Sequence, residues 1–160
     1  MSSKSLAILF VCMGNICRSP ALAGTLQEFA KKKGIEDLLY IDSCAITDWF
    51  VGARADARMN QAAHGRGISL DDHRAKIFES FFFVVFDLIL AVDDQVLRAL
   101  EEAAPSVAIK KKIHLATAFS QNYLNQGISD PYYGDAQSFE HVMDMAEDAC
   151  SGIIKKYFSR

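Results

Sequence analysis

The fold of this chain is decided by the stretch Leu6-Ala7-Ile8-Leu9-Phe10-Val11-Cys12-Met13-Gly14-Asn15-Ile16-Cys17-Arg18-Ser19-Pro20. Residues 6–10 form a continuous apolar run of the length typical of a fully buried strand. The following residues predict a tight loop and then a helix, with Ser19 as its N-cap and Pro20 at its first helical position. Backbone N–H groups and the helix dipole attract anions at such a junction, so the stretch predicts a phosphate-binding loop.

Two side chains give this loop the chemistry of a catalyst. The planar guanidinium of Arg18 binds two phosphate oxygens at once, which a lysine ammonium does not do. The positive surroundings that attract a phosphate dianion also favour the thiolate form of Cys12, which is placed for attack at phosphorus. Gly14 permits the tight turn. The hydroxyl of Ser19 is expected to hydrogen-bond either the sulfur or the first turn of the helix.

The string Val11-Cys12-Met13-Gly14-Asn15-Ile16-Cys17-Arg18-Ser19-Pro20 resembles the signature loop of the low-molecular-weight protein tyrosine phosphatases. It combines C-x5-R-S with a Gly-Asn pair and a second cysteine at a fixed place. This family also carries an Asp-Pro pair late in the chain, and Asp130-Pro131-Tyr132-Tyr133 stands here at similar spacing. The resemblance implies hydrolysis of phosphotyrosine in proteins, and of small aryl phosphates, through a cysteinyl-phosphate. It implies Cys12 as nucleophile, Arg18 as the phosphate-binding residue and Asp130 as general acid and base.

Asp130 also fits the general acid on chemical grounds. A phenolate leaves more easily if a carboxyl group protonates it, typically for a gain of ~10²–10⁴-fold in rate. Pro131 biases Asp130 away from the helical conformation, as a presented side chain requires. An isolated Asp-Pro pair would indicate only a turn, so the interpretation depends on the Cys12 loop. Because Cys12 must be ionised while Asp130 is protonated, activity is expected to peak on the acid side of neutral.

Substrate selection is expected from the residues that border the loop. Aromatic side chains on two segments are predicted to form walls that admit a flat phenyl phosphate. Ile16 favours phosphotyrosine, because relatives that act on phosphoarginine tend to have threonine at that position. The substrate-binding residues predicted in this way are Met13, Gly14, Asn15, Ile16, Cys17 and Ser19 of the loop, and Trp49, Phe50, Tyr132 and Tyr133 of the walls.

Three residues outside the loop and the aromatic walls are expected to position the loop residues. The resemblance implies that Ser43, His73 and Asp93 hold the loop and orient the arginine. Judged on the residues alone, His73 is an ordinary polar histidine that follows two aspartates.

Apolar runs and helical periodicities alternate along the chain. The alternation predicts an α/β fold with three layers, in which helices cover both faces of a parallel sheet. The resemblance implies four strands in the flavodoxin-like order 2-1-3-4. Ligands bind at the carboxyl ends of such strands, where Cys12, Ser43 and Asp93 are placed. The predicted strands are residues 6–10, 38–43, 88–92 and 113–115. The predicted helices are residues 19–33, 53–65 and 136–158, and a further helix that is capped by Asp93 and Asp94 and ends before Pro105.

Length and composition limit the number of domains and the classes of function that fit this chain. With 160 residues the chain predicts one domain, 1–160. A formal charge of −3 does not support nucleic-acid binding, and no apolar run is long enough to span a bilayer. The polar start predicts no signal peptide, and four cysteines without a regular framework indicate a reducing compartment, the cytoplasm. No metal-ligand spacing appears, so neither a metal nor another cofactor is expected.

Other features leave alternatives open. Cys17 lies close enough in sequence to trap oxidised Cys12 as a reversible disulfide, although it could equally pack beneath the helix. Phe81, Phe82 and Phe83, if exposed, would suit a partner or a weak homodimer. The lysine run 31–33 is interpreted as a solvated helix end rather than a binding patch.

Two other functions are compatible with a phosphate-binding loop. A non-catalytic phosphopeptide-binding module would keep the loop for recognition, but it would need neither the Cys12 nucleophile nor the Asp130 acid. Arsenate reduction would need further cysteines to carry the oxidation onward, and no cysteine lies between Cys44 and Cys150.

Overall fold

The computed structural model describes residues 5–159 and is built on a four-stranded parallel sheet. Its strands are β1 (Leu6–Cys12), β2 (Leu39–Ala45), β3 (Leu88–Ala91) and β4 (Ile113–Leu115). Their order is β2-β1-β3-β4, which confirms the predicted topology, and every strand lies within two residues of its predicted bounds. The side chains of Ile8 to Val11 are fully buried, as expected for the central strand of a sheet covered on both faces.

Six α-helices are present in the described residues. They are α1 (Arg18–Lys32), α2 (Ala57–His64), α3 (Phe82–Val85), α4 (Asp94–Ala103), α5 (Val107–Lys110) and α6 (Ala136–Phe158). Helices α1 and α6 pack along each other, while α4 contacts β3 and β4. Short 3₁₀ turns at Glu36–Leu38 and Ala116–Phe119 complete the connections. No helix within residues 5–159 combines the length and the hydropathy needed to cross a membrane.

The N-cap and the first helical residue of α1 each lie two residues earlier than predicted. Arg18 is its first residue and Cys17 is its N-cap, without a side-chain capping bond. Ser19 therefore lies inside the first turn, and the expectation that it caps the helix is wrong. Its hydroxyl lies 2.9 Å from the sulfur of Cys12 instead. The amino-terminal N–H groups of the helix are thereby left for a ligand.

The apolar stretch from Phe81 onward divides into α3, which was not predicted, and β3, and its aromatic residues do not all face solvent. Phe82 and Phe83 are buried, and both stack edge-on against Phe78 at centroid distances of 5.4 and 4.8 Å. Only Phe81 is exposed, to 56%. The condition for a partner patch, exposure of the three phenylalanines, is therefore met by Phe81 alone among them.

The second helix is shorter than predicted, because residues 53–56 precede α2 in non-helical conformation. Asp56 is its N-cap and accepts the N–H of Arg58 at 2.8 Å. The alanines of this segment favour a helix, but a polar capping side chain determines where the helix begins. The long helix α6, in contrast, occupies its predicted residues 136–158 in full.

Gly152 is required by the close approach of α6 to the turn Ala116–Phe119. A Cβ atom at this position would lie 1.9 Å from the backbone oxygen of Phe119. We expect Gly152→Ala to lower the free energy of unfolding by about 1–3 kcal/mol, because the contact is with backbone rather than with a flexible side chain. Urea unfolding measures this change. Ser151→Ala, one residue away and exposed, is the matched control and should cause no loss; equal stability of both variants would contradict the contact.

Candidate active site

The loop between β1 and α1 surrounds the sulfur of Cys12 with donors. The backbone N–H of Asn15 points at Sγ from 3.1 Å, and the hydroxyl of Ser19 lies 2.9 Å from it. Asn15 Nδ2 donates to the Ser19 oxygen at 2.7 Å, which leaves the Ser19 proton free to be donated to the sulfur. Cys12 is only 2% exposed. The sulfur therefore sits at the base of the loop within reach of a backbone N–H and a hydroxyl group.

Asn15 holds the loop in its shape. Its backbone is left-handed, with φ of 62°, a conformation that costs energy for a residue with a side chain. Nδ2 donates to Ser43 Oγ at 3.0 Å as well as to Ser19, and Oδ1 accepts the N–H of Lys76 at 3.0 Å. His73 Nε2 donates to the Asn15 carbonyl at 2.6 Å. Burial lowers the pKa of His73, which favours a neutral ring in this position.

Arg18 is buried and directed by the ends of two other segments. Its Nη1 donates to Asp93 Oδ2 at 2.8 Å and to the carbonyl of Ile128 at 2.9 Å. Asp93 follows β3 and also caps α4, where it accepts the N–H of Val96 at 2.9 Å. The guanidinium is therefore oriented from one side by fixed acceptors, and its remaining donors are available to a ligand in the loop.

Asp130 lies across the loop from Cys12 with its carboxyl group partly open to solvent. Its Oδ2 is 3.9 Å from Nη2 of Arg18, too far for a hydrogen bond, and its Oδ1 accepts the N–H of Tyr132 at 3.1 Å. The segment that carries it is anchored where the N–H of Ile128 donates to Val92 at 2.8 Å. The turn closed by the hydrogen bond between Asp130 and Tyr132 directs the Asp130 side chain towards the loop.

A cavity of about 140 Å³ lies above the sulfur and is bordered by the predicted aromatic walls. Phe50 packs on Gly14, where a Cβ atom would lie only 2.8 Å from the ring, and its centroid is 6.2 Å from that of Tyr132. Trp49 and Tyr133 extend into solvent at the mouth. The residues that line the cavity are Cys12, Met13, Gly14, Asn15, Ile16, Cys17, Arg18, Trp49, Phe50, Asp130, Tyr132 and Tyr133.

The structure thus brings most of the predicted residues together. Ser43, His73 and Asp93 lie behind the loop and contact Asn15 or Arg18. Ser19 does not line the cavity: it is buried behind the sulfur, so its place is among the residues that hold the loop.

Arg58, which no sequence pattern indicated, supports one aromatic wall. Its guanidinium lies 5.5 Å from the ring centroid of Tyr132 and 4.7 Å from that of Phe139. Asp56 fixes the arginine with a contact of 2.8 Å, and the hydrogen bond to Arg58 lowers the pKa of Asp56. The spacing of the pair indicates a helix cap, but only the packing of α2 against α6 brings the arginine to Tyr132.

Cys17 lies in the same loop as Cys12 and differs from it chemically. Burial, followed by the nearby carboxylates of Asp56 and Asp130, raises the pKa of the Cys17 thiol far above its ordinary value. Cys17 therefore remains a thiol at neutral pH. Within residues 5–159, no group of three or more histidine, cysteine, aspartate or glutamate side chains is placed to hold a metal ion.

Comparison with known proteins gives a consistent result. The family model described as low molecular weight phosphotyrosine protein phosphatase matches residues 7–158. A low molecular weight protein-tyrosine-phosphatase of Streptomyces coelicolor is 34% identical over 151 residues, which cover 92% of this chain and 90% of that protein. A low molecular weight phosphotyrosine protein phosphatase of Sus scrofa is 34% identical over 152 residues, or 94% of each chain.

Solved structures agree with the sequence matches. A protein tyrosine phosphatase from Entamoeba histolytica, with Hepes in its active site, superposes with a TM-score of 0.91 at 33% identity over 95% of this chain and 96% of that one. YfkJ from Bacillus subtilis superposes with a TM-score of 0.89 at 27% identity over 99% and 100%. With the family model matching nearly the whole chain, this protein belongs to the low molecular weight phosphotyrosine protein phosphatase family.

Proposed function

We propose that residues 1–160 form one catalytic domain that hydrolyses phosphotyrosine in proteins, and small aryl phosphates, with Cys12, Arg18 and Asp130 as its catalytic residues. The observation that carries this proposal is the position of the Cys12 sulfur below a cavity bordered by Arg18 and Asp130. Nucleophile, anion-binding group and proton donor thus meet in one cavity of about 140 Å³, between aromatic walls that suit a phenyl ring.

In the first step the Cys12 thiolate attacks phosphorus in line with the leaving oxygen. A sulfur–phosphorus bond forms as the phosphorus–oxygen bond breaks, and the leaving oxygen takes the electron pair together with the proton of Asp130. Arg18 and the backbone N–H groups of the loop stabilise the charge on the equatorial oxygens. The products are a phenol, a cysteinyl-phosphate and an ionised Asp130.

In the second step water attacks the phosphorus of the cysteinyl-phosphate. Asp130 takes a proton from this water, the sulfur–phosphorus bond breaks, and inorganic phosphate and the Cys12 thiolate are released. The Ser19 hydroxyl, 2.9 Å from the sulfur, stabilises the departing thiolate by donating a hydrogen bond to it, and it keeps its proton. Asn15 Nδ2 orients this hydroxyl, so the loop assists the sulfur both as nucleophile and as leaving group.

The substrates and the compartment follow from this chemistry. Tyrosine-phosphorylated proteins fit, because a phosphate on a long phenyl arm reaches the sulfur while the protein stays outside the mouth formed by Trp49 and Tyr133. A thiolate nucleophile needs a reducing compartment, and we place the protein in the cytoplasm for this reason.

The nucleophile is tested by hydrolysis of an aryl phosphate at mildly acidic pH in the presence of EDTA. We expect turnover by the wild type and none by Cys12→Ser, because a hydroxyl at this position is not ionised. Cys150→Ala, a buried cysteine far along α6, is the control and should remain active. No turnover by folded, reduced wild type would overturn the catalytic proposal. The protein would then be a phosphopeptide-binding module, and Cys12→Ser should bind phosphopeptide as the wild type does.

The general acid is tested by Asp130→Asn. We expect kcat/KM, which reports the step that expels the leaving group, to fall by ~10²–10⁴-fold for an unactivated phenyl phosphate. For an ester with a good leaving group kcat/KM should fall less, because a good leaving group needs little protonation. Asp48→Asn, an exposed aspartate near the mouth, is the matched control. Equal losses for both leaving groups would argue against Asp130 as the acid.

The two loop cysteines give a redox prediction. Peroxide should oxidise the Cys12 thiolate to a sulfenic acid, and Cys17 should then displace water from it to form a disulfide. We expect dithiothreitol to restore the oxidised wild type, while Cys17→Ala should lose activity irreversibly through further oxidation of Cys12. Peptide mapping checks the linkage; recovery of Cys17→Ala to the same extent as the wild type would contradict it.

A further inference from the structure

Most lysines of the chain lie at the end of the molecule opposite the active site. Eight of the ten form three runs, at residues 31–33, 110–112 and 155–156. The first and last runs are at the carboxyl ends of α1 and α6, and the middle run leads into β4. Because the strands are parallel and helices α1 and α6 run back beside them, all three runs lie at the end of the sheet where the strands begin. We call this surface the basic end.

The basic end contains a groove between the last turns of α1 and α6. Its cavity measures about 410 Å³, with Phe29 and Ile154 as an apolar floor and Lys32, Lys33 and Lys155 at the rim. Within residues 5–159 no carboxylate lies within 4.0 Å of these three ammonium groups. A charged rim above an apolar floor matches an anionic head group joined to hydrocarbon.

An exposed apolar tip stands beside the second lysine run. It consists of Phe81, Val84 and Val85, of which Val84 is 77% exposed. Lys112 lies next to it, since its Nζ donates to the carbonyl of Phe83 at 2.7 Å. The backbone of Lys112 also accepts the N–H of Ile89, which places the run at the start of β3. Bulky apolar side chains thus project from among lysines.

Helix dipoles explain part of this pattern. Lysines in the last turns of α1 and α6 offset the negative helix ends. Each of those two runs, taken alone, therefore does not indicate a binding site. The dipoles do not explain the exposed tip. By their positions in the elements, six carboxylates lie at this end against the eight lysines, at the ends of α1 and α4 or before β2 and β3, so this end is positive although the whole chain carries −3. Those carboxylates are Glu28, Glu36, Asp37, Asp87, Glu101 and Glu102.

We propose that the basic end docks on the surface of an anionic phospholipid bilayer. The tip enters the interface between head groups and acyl chains, and the groove takes a lipid phosphate between its lysines. The active site, at the other end of the strands, faces away from the bilayer and remains open to protein substrates. A second copy of the chain fits less well, because three partly exposed side chains offer far less than the ~800 Å² per partner of a stable interface, and lysine would meet lysine.

Co-sedimentation of the full chain with vesicles tests the proposal. We expect binding to phosphatidylcholine vesicles that contain phosphatidylserine, little binding to phosphatidylcholine alone, and weakening as salt is raised. The triple variant Lys32→Gln, Lys33→Gln, Lys155→Gln should bind about a hundredfold more weakly. Val84→Asp should also bind more weakly, whereas Leu124→Asp, an exposed leucine elsewhere, should bind as the wild type does.

The outcomes separate this proposal from the catalytic one. All variants should stay folded and keep the wild-type hydrolysis of a soluble aryl phosphate, since none lies in the active site. The triple lysine variant should show a small fall in its unfolding midpoint, because it loses charges that offset the helix dipoles. The absence of vesicle binding, or equal binding with and without phosphatidylserine, would overturn the bilayer proposal and leave catalysis untouched. Binding to polyglutamate without binding to vesicles would also overturn it and would indicate an acidic protein. A concentration-dependent dimer that Val84→Asp dissolves would instead assign the tip to self-association.

Discussion

The left-handed backbone of Asn15 is the constraint on which the candidate active site depends. This conformation turns the loop so that the Asn15 N–H faces the sulfur of Cys12. An asparagine tolerates it better than most residues, and its side chain repays the strain by satisfying three partners on three separate segments. Together with the bond from His73, these contacts tie the loop to β2 and to the segment after α2. The anion-binding geometry is therefore present before any substrate arrives.

The buried Arg18 connects this loop to the other half of the sheet. Removing a guanidinium from water is costly unless its donors are paired, and here Asp93 and the carbonyl of Ile128 supply the pairing. Asp93 is held in turn by capping α4. The carboxyl ends of β1 and β3 are thus joined by one side chain. The segment from Ile128 leads directly to Asp130, so the same arginine couples the phosphate-binding loop to the acid.

What the sequence predicts and what it misses can be explained by the range of the forces involved. The helix at 136–158 carries a long apolar stripe of helical period, and the loop that begins at Cys12 has its reactive residues within a ten-residue stretch. Both can therefore be predicted from a short stretch of sequence. The run from Phe81 is apolar without a period, so nothing local shows which rings point inward. Serine is a common N-cap residue, but the hydroxyl of Ser19 contacts the sulfur of Cys12 instead of capping the helix. The stack of Arg58 on Tyr132 depends on how two helices pack.

A parallel sheet with helices has two chemically different ends, and this chain places a positive surface at each by different means. At the carboxyl ends of the strands the positive charge comes from helix N–H groups and one buried arginine, which are rigid and suit a single tightly held phosphate. At the other end the helix dipoles are negative, and long lysine side chains must first offset them before they can attract an anion. Such lysines are mobile and widely spaced, and they suit a surface of many weak charges rather than one bound group. The geometry of the fold therefore separates recognition of a substrate phosphate from attraction to an anionic surface, and it lets both act at once.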